Sequence, residues 1–99
     1  MIVGSLKVRL YIREARTLKD KRQVVSSIKD RLRNGFNVAV AEVEAQDNRQ
    51  VAVLGFAAVG GEAASVRETL EKIAQALRGH PVAEFLDSEM EVERVTGAP

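Results

Sequence analysis

The spacing of apolar residues along this chain changes period in a fixed order, and that order leaves few folds open. Leu6, Val8, Leu10 and Ile12 alternate with Ser5, Lys7, Arg9 and Tyr11, the two-residue period of a strand with one buried face. Thr17 then heads a helical stretch, with Asp20 three residues later. This is an acidic variant of the capping box, placed where it also suits the positive end of the helix dipole. At about 100° per residue, Leu18, Val24, Val25, Ile28 and Leu32 fall within one arc of about 120°. Asn34-Gly35 predicts a left-handed cap at the end of that helix.

Residues 36–45 and 50–59 read as a second and a third strand. Asp47-Asn48 between them predicts a tight hairpin, with the Asn accepting positive φ. Both strands carry apolar residues on both faces, so the pattern does not say which set meets the helices. Gly60-Gly61 opens a second helix striped by Val66, Leu70, Ile73 and Leu77, and Gly79-His80-Pro81 stops it. Residues 85–95 form the last strand, with Met90 and Val92 on one face and Glu89, Glu91 and Glu93 on the other. The order β-α-β-β-α-β predicts an α+β, ferredoxin-like sandwich. Both helices lie on one face of an antiparallel sheet of strand order 4-1-3-2. We expect one domain over 1–95 and a frayed tail over 96–99.

Several classes of function are disfavoured by what the chain lacks. Cysteine is absent, so there is no disulfide, thiolate nucleophile or cysteine zinc site. Lys7 and Arg9 interrupt any apolar leader, and the longest apolar run, 51–59, falls short of the ~20 residues of a spanning helix. A cytoplasmic protein without a membrane partner is expected. His80 is the only histidine, so no two-histidine metal site can form within one chain. Residues 13–17 hold no glycine to cradle a phosphate, and Gly60-Gly61 lacks the flanking residues of a nucleotide loop. Glu89, Glu91 and Glu93 could gather a cation, but Lys7 and Arg9 are expected opposite them. The expectation is a protein that is not an enzyme and has no cofactor, metal or small-molecule ligand.

Charge is distributed very unevenly. The first 33 residues hold ten basic and three acidic side chains, while the remainder holds five basic and eleven acidic ones. On the first helix Lys19, Arg22, Lys29 and Arg33 fall within about 80°, beside the apolar arc, as a ridge about 20 Å long. Such a ridge can track phosphates, releasing counterions at each contact; its other reading is a solvated helix face. The second helix interleaves Arg67, Glu68, Glu71 and Lys72 with no dominant sign. Topology also brings the start of the first helix to the end of the second strand. Glu42, Glu44 and Asp47 are therefore candidate ion-pair partners for Lys19, Lys21, Arg22 or Arg49. Lys21 points into the apolar arc, so its stem should pack while its amine reaches one of those carboxylates. Tyr11 and Phe56 are the only aromatic residues offered to a base-stacking platform on the open sheet face, which makes such a platform a poor reading.

Glu14-Ala15, Leu18-Lys19-Asp20-Lys21-Arg22, and Asp30-Arg31-Leu32-Arg33 leading into Phe36-Asn37-Val38 resemble the YlxP-like family of small bacterial proteins of unknown function. Val40-Ala41-Glu42-Val43, Gln46-Asp47 and Ala52-Val53-Leu54-Gly55 extend the resemblance over nearly the whole chain. The chain departs from the family pattern at Thr17, where most members have Ser or a similar cap, and in the Ala- and Gly-rich stretch 57–64. The resemblance implies a ferredoxin-like fold and carries no catalytic or ligand-binding role. Genes of the family commonly lie beside those for translation initiation and ribosome maturation factors, which implies a ribosome or structured-RNA partner. The alternative is a homodimer or other homo-oligomer without nucleic acid, because the second strand is an edge strand rich in Val38, Ala39, Val40 and Ala41.

Overall fold

The computed structural model describes residues 1–96. Of the expected frayed tail, all but Thr96 lies outside them. Six elements follow in order: β1 (Ile2–Tyr11), α1 (Leu18–Gly35), β2 (Ala39–Glu44), β3 (Val51–Gly60), α2 (Ala63–Arg78) and β4 (Glu84–Arg94). The four strands form one antiparallel sheet of order β2-β3-β1-β4. This is the ferredoxin-like arrangement that the periodicities predict.

The strict alternation of β1 sets both faces of the sheet. Ile2, Leu6, Val8 and Leu10 are buried, while Val3, Ser5, Lys7, Arg9 and Tyr11 point to the open side. Antiparallel register carries this division outward, because directly paired residues share a face. Leu6 pairs with Phe56 and Val8 with Leu54. Ala52, Leu54, Phe56 and Ala58 therefore face the helices, which settles what the sequence leaves open for β3. Phe56 is a core residue, 2% exposed, so it is not an open-face aromatic. Its partner Leu6 fixes its side, and Tyr11 alone remains on the other.

Val25, Ile28 and Leu32 of α1 and Val66, Leu70, Ile73, Ala74 and Leu77 of α2 close the core from the other side. Each large aliphatic side chain removed from water contributes about 1.5–3 kcal/mol. The approach of α2 to the sheet depends on Gly4. A Cβ there would stand 2.5 Å from Cγ1 of Val66 and 2.8 Å from Cδ1 of Leu70. Gly4→Ala should therefore lower the unfolding free energy by about 1–3 kcal/mol through overpacking. Urea denaturation measures this, and an unchanged midpoint would show that α2 can shift away at no cost.

The start of α1 is capped as its residues imply. The Asp20 amide donates to Thr17 Oγ1 at 3.1 Å, and Asp20 Oδ2 accepts from the Thr17 amide at 3.2 Å and the Arg16 amide at 2.9 Å. The Arg16 amide leads in holding the Asp20 carboxyl below its ordinary value. The other end differs from the expected left-handed cap. Gly35 does not have positive φ. Phe36 is the C-cap, with extended backbone at φ −139°, and its amide closes on the Leu32 carbonyl at 2.9 Å. Phe36 packs against the core, which turns the chain at once without a left-handed residue. The Val38 amide then donates to the Phe36 carbonyl at 3.0 Å, so β2 begins at Ala39 rather than at 36.

His80 ends the α2 turn by a definite bond pattern. Its Nδ1 accepts from the amides of Val82, at 3.1 Å, and Ala83, at 2.9 Å. Both bonds need the neutral ring. Burial, aided by the Arg31 charge, holds the imidazole pKa below its ordinary value. The sign follows from linkage: a depressed folded-state value means a stabilising contribution that is complete above the ordinary histidine value of about 6.5 and lost as pH falls through the folded value. Stability should therefore decline as pH falls below about 6.5. His80→Asn, whose Oδ1 can accept the same bonds without titrating, should flatten that part of the profile in urea melts. A profile of unchanged slope would assign the decline to other groups.

Candidate nucleic-acid interface

The site begins with Lys21, which the α1 wheel places in the apolar arc. Its side chain is fully buried. The ammonium donates to the carbonyls of Ala45, Gln46 and Val51 at 2.8, 3.3 and 3.2 Å. Its nitrogen also lies 2.9 Å from the Glu42 carboxylate, whose Oε2 makes no hydrogen bond. The three ammonium protons go to the carbonyls, and Glu42 is held by charge. Lys21 thus fastens the turn between β2 and β3 to the first turn of α1.

That turn is not the tight hairpin the sequence suggests. Positive φ falls on Ala45, at 58°, and not on Asn48. The β2 register shifts between Glu42 and Glu44, and Ala45 turns back so that its carbonyl meets Lys21. Asn48 instead accepts from the amides of Gln50 and Val51 at 2.8 and 2.9 Å, the side-chain turn open to Asn and Asp. The Gln50 amide group reaches the Arg13 carbonyl at 3.1 Å. These bonds tie the hairpin to the β1–α1 loop.

Of the other carboxylates expected near α1, Glu44 meets Lys7 at 2.8 Å instead, because the register shift brings it to the open face. This bond leads in raising the Lys7 pKa. Asp47 has no ion-pair partner within 4.0 Å among the described residues. The acidic β4 face is answered in part by β1: Lys7 lies 4.0 Å from Glu89 and Arg9 lies 3.1 Å from Asp87. Among the described residues no His, Asp and Glu group converges to hold a metal, and no helix is long and apolar enough to cross a membrane.

The four ridge cations divide into two kinds. Arg33 is bonded to Asp30 at 2.7 Å, one helical turn back. Lys19 and Arg22 are exposed and Lys29 is half-buried, and none has a carboxylate within ion-pair distance among the described residues. Lys19 and Arg22 border a shallow depression of about 640 Å³, lined also by Gln23, Ser26, Ser27 and Asp30. Cations, an amide and hydroxyls thus meet on one outward helix face as donors for phosphate oxygens, with the Asp30 carboxylate beside them engaged by Arg33.

The ridge also has neighbours that wheel reasoning does not reveal. Arg16, Arg49 and Gln50 line a cleft of about 520 Å³ between the β1–α1 loop and the hairpin. Neither arginine has a carboxylate within ion-pair distance among the described residues. The usable signal was topological: those two loops share one end of the sandwich, so their arginines extend the field of Lys19 and Arg22.

Comparison with known proteins finds relatives over most of the chain. The family model described as "Protein of unknown function (DUF503)" matches residues 3–90. The chain is also 32% identical over 93 residues to "Uncharacterized protein YlxP" of Bacillus subtilis (strain 168), an alignment spanning 94% of this chain and 91% of that one. With the family model covering residues 3–90 and the relative aligned over 94% of the chain, the chain belongs to the DUF503, YlxP-like family.

Proposed function

We propose that this protein is a non-catalytic RNA-binding protein of the cytoplasm, attaching to ribosomal or other structured RNA through the outer face of α1. The observation that carries this reading is that Lys19, Arg22 and Lys29 have no carboxylate within ion-pair distance among the described residues, the Asp30 that shares their depression being bonded to Arg33. Lys7, Arg9, Arg13, Lys21, Arg33 and Lys72 have acidic partners, whereas Lys19, Arg22 and Lys29, and Arg16 and Arg49 beside them, do not, so this face gathers unpaired cations that are available to an outside anion. Arg33 contributes less than its place on the wheel suggests, because Asp30 already neutralises it. The gene setting of the family supports RNA as that anion. The test is fluorescence anisotropy with labelled ribosomal RNA fragments at low salt, comparing wild type with Lys19→Glu/Arg22→Glu/Lys29→Gln. Loss of binding with an unchanged thermal unfolding curve supports the reading; equal binding, or none by the wild type, overturns it.

A second reading is favoured by the open sheet face. Ala39 pairs with Ala57 and Ala41 with Gly55, leaving a shallow strip of about 490 Å³ with Val43 at its rim. β2 is also an edge strand. A second copy of the chain fits there by edge pairing or by covering the strip. Light scattering at high micromolar concentration that finds only monomer overturns this reading without touching the first.

A further inference from the structure

At the end of the sandwich beside Arg16 and Arg49, a cleft of about 880 Å³ opens between the β1–α1 loop and the turn joining α2 to β4. It falls in the size range of ligand sites, roughly 300–1,000 Å³. Two guanidinium groups in its lining rest on aromatic rings. Arg78, the last residue of α2, stands 4.6 Å from the Phe85 ring centroid, and Arg13 stands 5.3 Å from that of Tyr11. Contact with a ring face lowers the ordering cost of each guanidinium, and a guanidinium plane can itself be stacked upon. Arg78 has no carboxylate within ion-pair distance among the described residues. Arg13 is bonded to Glu84 at 3.2 Å with its side chain 72% exposed, a longer and more open pair than Arg33–Asp30 at 2.7 Å and 50%, so a phosphate displaces Glu84 more readily than it displaces Asp30. Glu14 also lines the cleft and opposes a purely anionic occupant. His80 lines it with Nδ1 committed to two amides, leaving the neutral ring its Nε2–H as a donor.

This combination fits a flat, polar-edged, neutral group joined to an anion. We propose that the cleft seats an unpaired base of RNA, stacked on the Arg78–Phe85 pair beside the His80 Nε2–H, with Arg13 meeting the adjoining phosphate. The inference rests on the RNA reading above and adds to it a preference for single-stranded segments. The route is continuous: the cleft shares Arg13 and Glu14 with the Arg16–Arg49 cleft, which adjoins the start of the α1 ridge. Phosphates track the ridge, and the base enters at its end. Stacked bases of single strands are recognised in this way on arginine planes as well as on rings.

The test uses a hexanucleotide RNA carrying 2-aminopurine and, separately, an RNA duplex of equal length, with the full chain. Bound wild type should quench the 2-aminopurine emission. Arg78→Ala should weaken single-strand binding about ten-fold while leaving duplex affinity and thermal unfolding unchanged. Arg78→Lys, which keeps the charge and loses the plane, should not restore it. Single-strand binding without quenching, an Arg78→Ala variant that binds as wild type does, or full rescue by Lys overturns the base site while the ridge reading stands. Failure of the wild type to bind either RNA overturns both.

Discussion

Lys21→Met should lower the unfolding free energy by about 3–5 kcal/mol, two to four powers of ten in the folding constant at ~1.4 kcal/mol each. Methionine keeps the stem and its apolar contacts, so the loss belongs to the ammonium. Three carbonyls would be left without their donor, and buried acceptors without partners cost about 1–3 kcal/mol each where water cannot reach them. The Glu42 carboxylate, 16% exposed, would be left without its counter-charge. Ala45 would keep its left-handed backbone, a conformation costing ~1–2 kcal/mol for a residue with a Cβ, with nothing holding its carbonyl. Adding Glu42→Gln to Lys21→Met should recover part of the loss by removing the stranded charge. Chemical denaturation of the three proteins decides the matter. A Lys21→Met loss below 1 kcal/mol would mean that water replaces the ammonium and the hairpin does not depend on it.

The fold was legible in the residues because β1 and α2 have clean periods that anchor everything else. The two-residue alternation of β1 and the Val66, Leu70, Ile73, Leu77 stripe each demand a single buried face. The middle strands were ambiguous for a physical reason: their open face is built from Ala39, Ala41, Gly55, Ala57 and Val59, as apolar as the core face. Only pairing of β3 with β1 resolves it. Lys21 was legible as a buried stem with an outbound amine, since the wheel places it between Val25 and Ile28, and Glu42 was among its three candidate partners. Its carbonyl partners were not, because they depend on the β2 register shift and on a positive φ at an alanine, which no local propensity favours. The Asp30–Arg33 pair follows from the i,i+3 spacing alone, and it takes Arg33 out of a stripe that the wheel draws from the cations only. The end cleft needed the fold first: residues 11–14 and 78–85 are far apart in sequence and meet only because β1 and β4 pair antiparallel.

If α1 binds RNA phosphates through Lys19, Arg22 and Lys29, these three contacts should contribute about −2 to the slope of log affinity against log salt, about 0.7 each on a single strand, with the Arg13 contact adding its own share. The three contacts alone should lower affinity about twenty-fold between 50 and 200 mM salt. Lys19→Glu/Arg22→Glu/Lys29→Gln should make the slope shallower by about 2 and reduce affinity at 50 mM by about a hundred-fold. Arg33→Gln separates a specific ridge from a diffuse positive field. It lies on the same stripe, yet Asp30 holds its charge, so its loss should change the slope by much less than one contact. Equal sensitivity to all four substitutions would mean that net charge drives binding, and the unpaired cations would then hold no special place. The second helix supplies the corresponding control: Lys72 is paired with Glu68 at 3.1 Å, and Lys72→Gln should leave both slope and affinity unchanged. A ridge that binds RNA through unpaired charge has to show this contrast between neighbouring cations that differ in whether an acid already holds them.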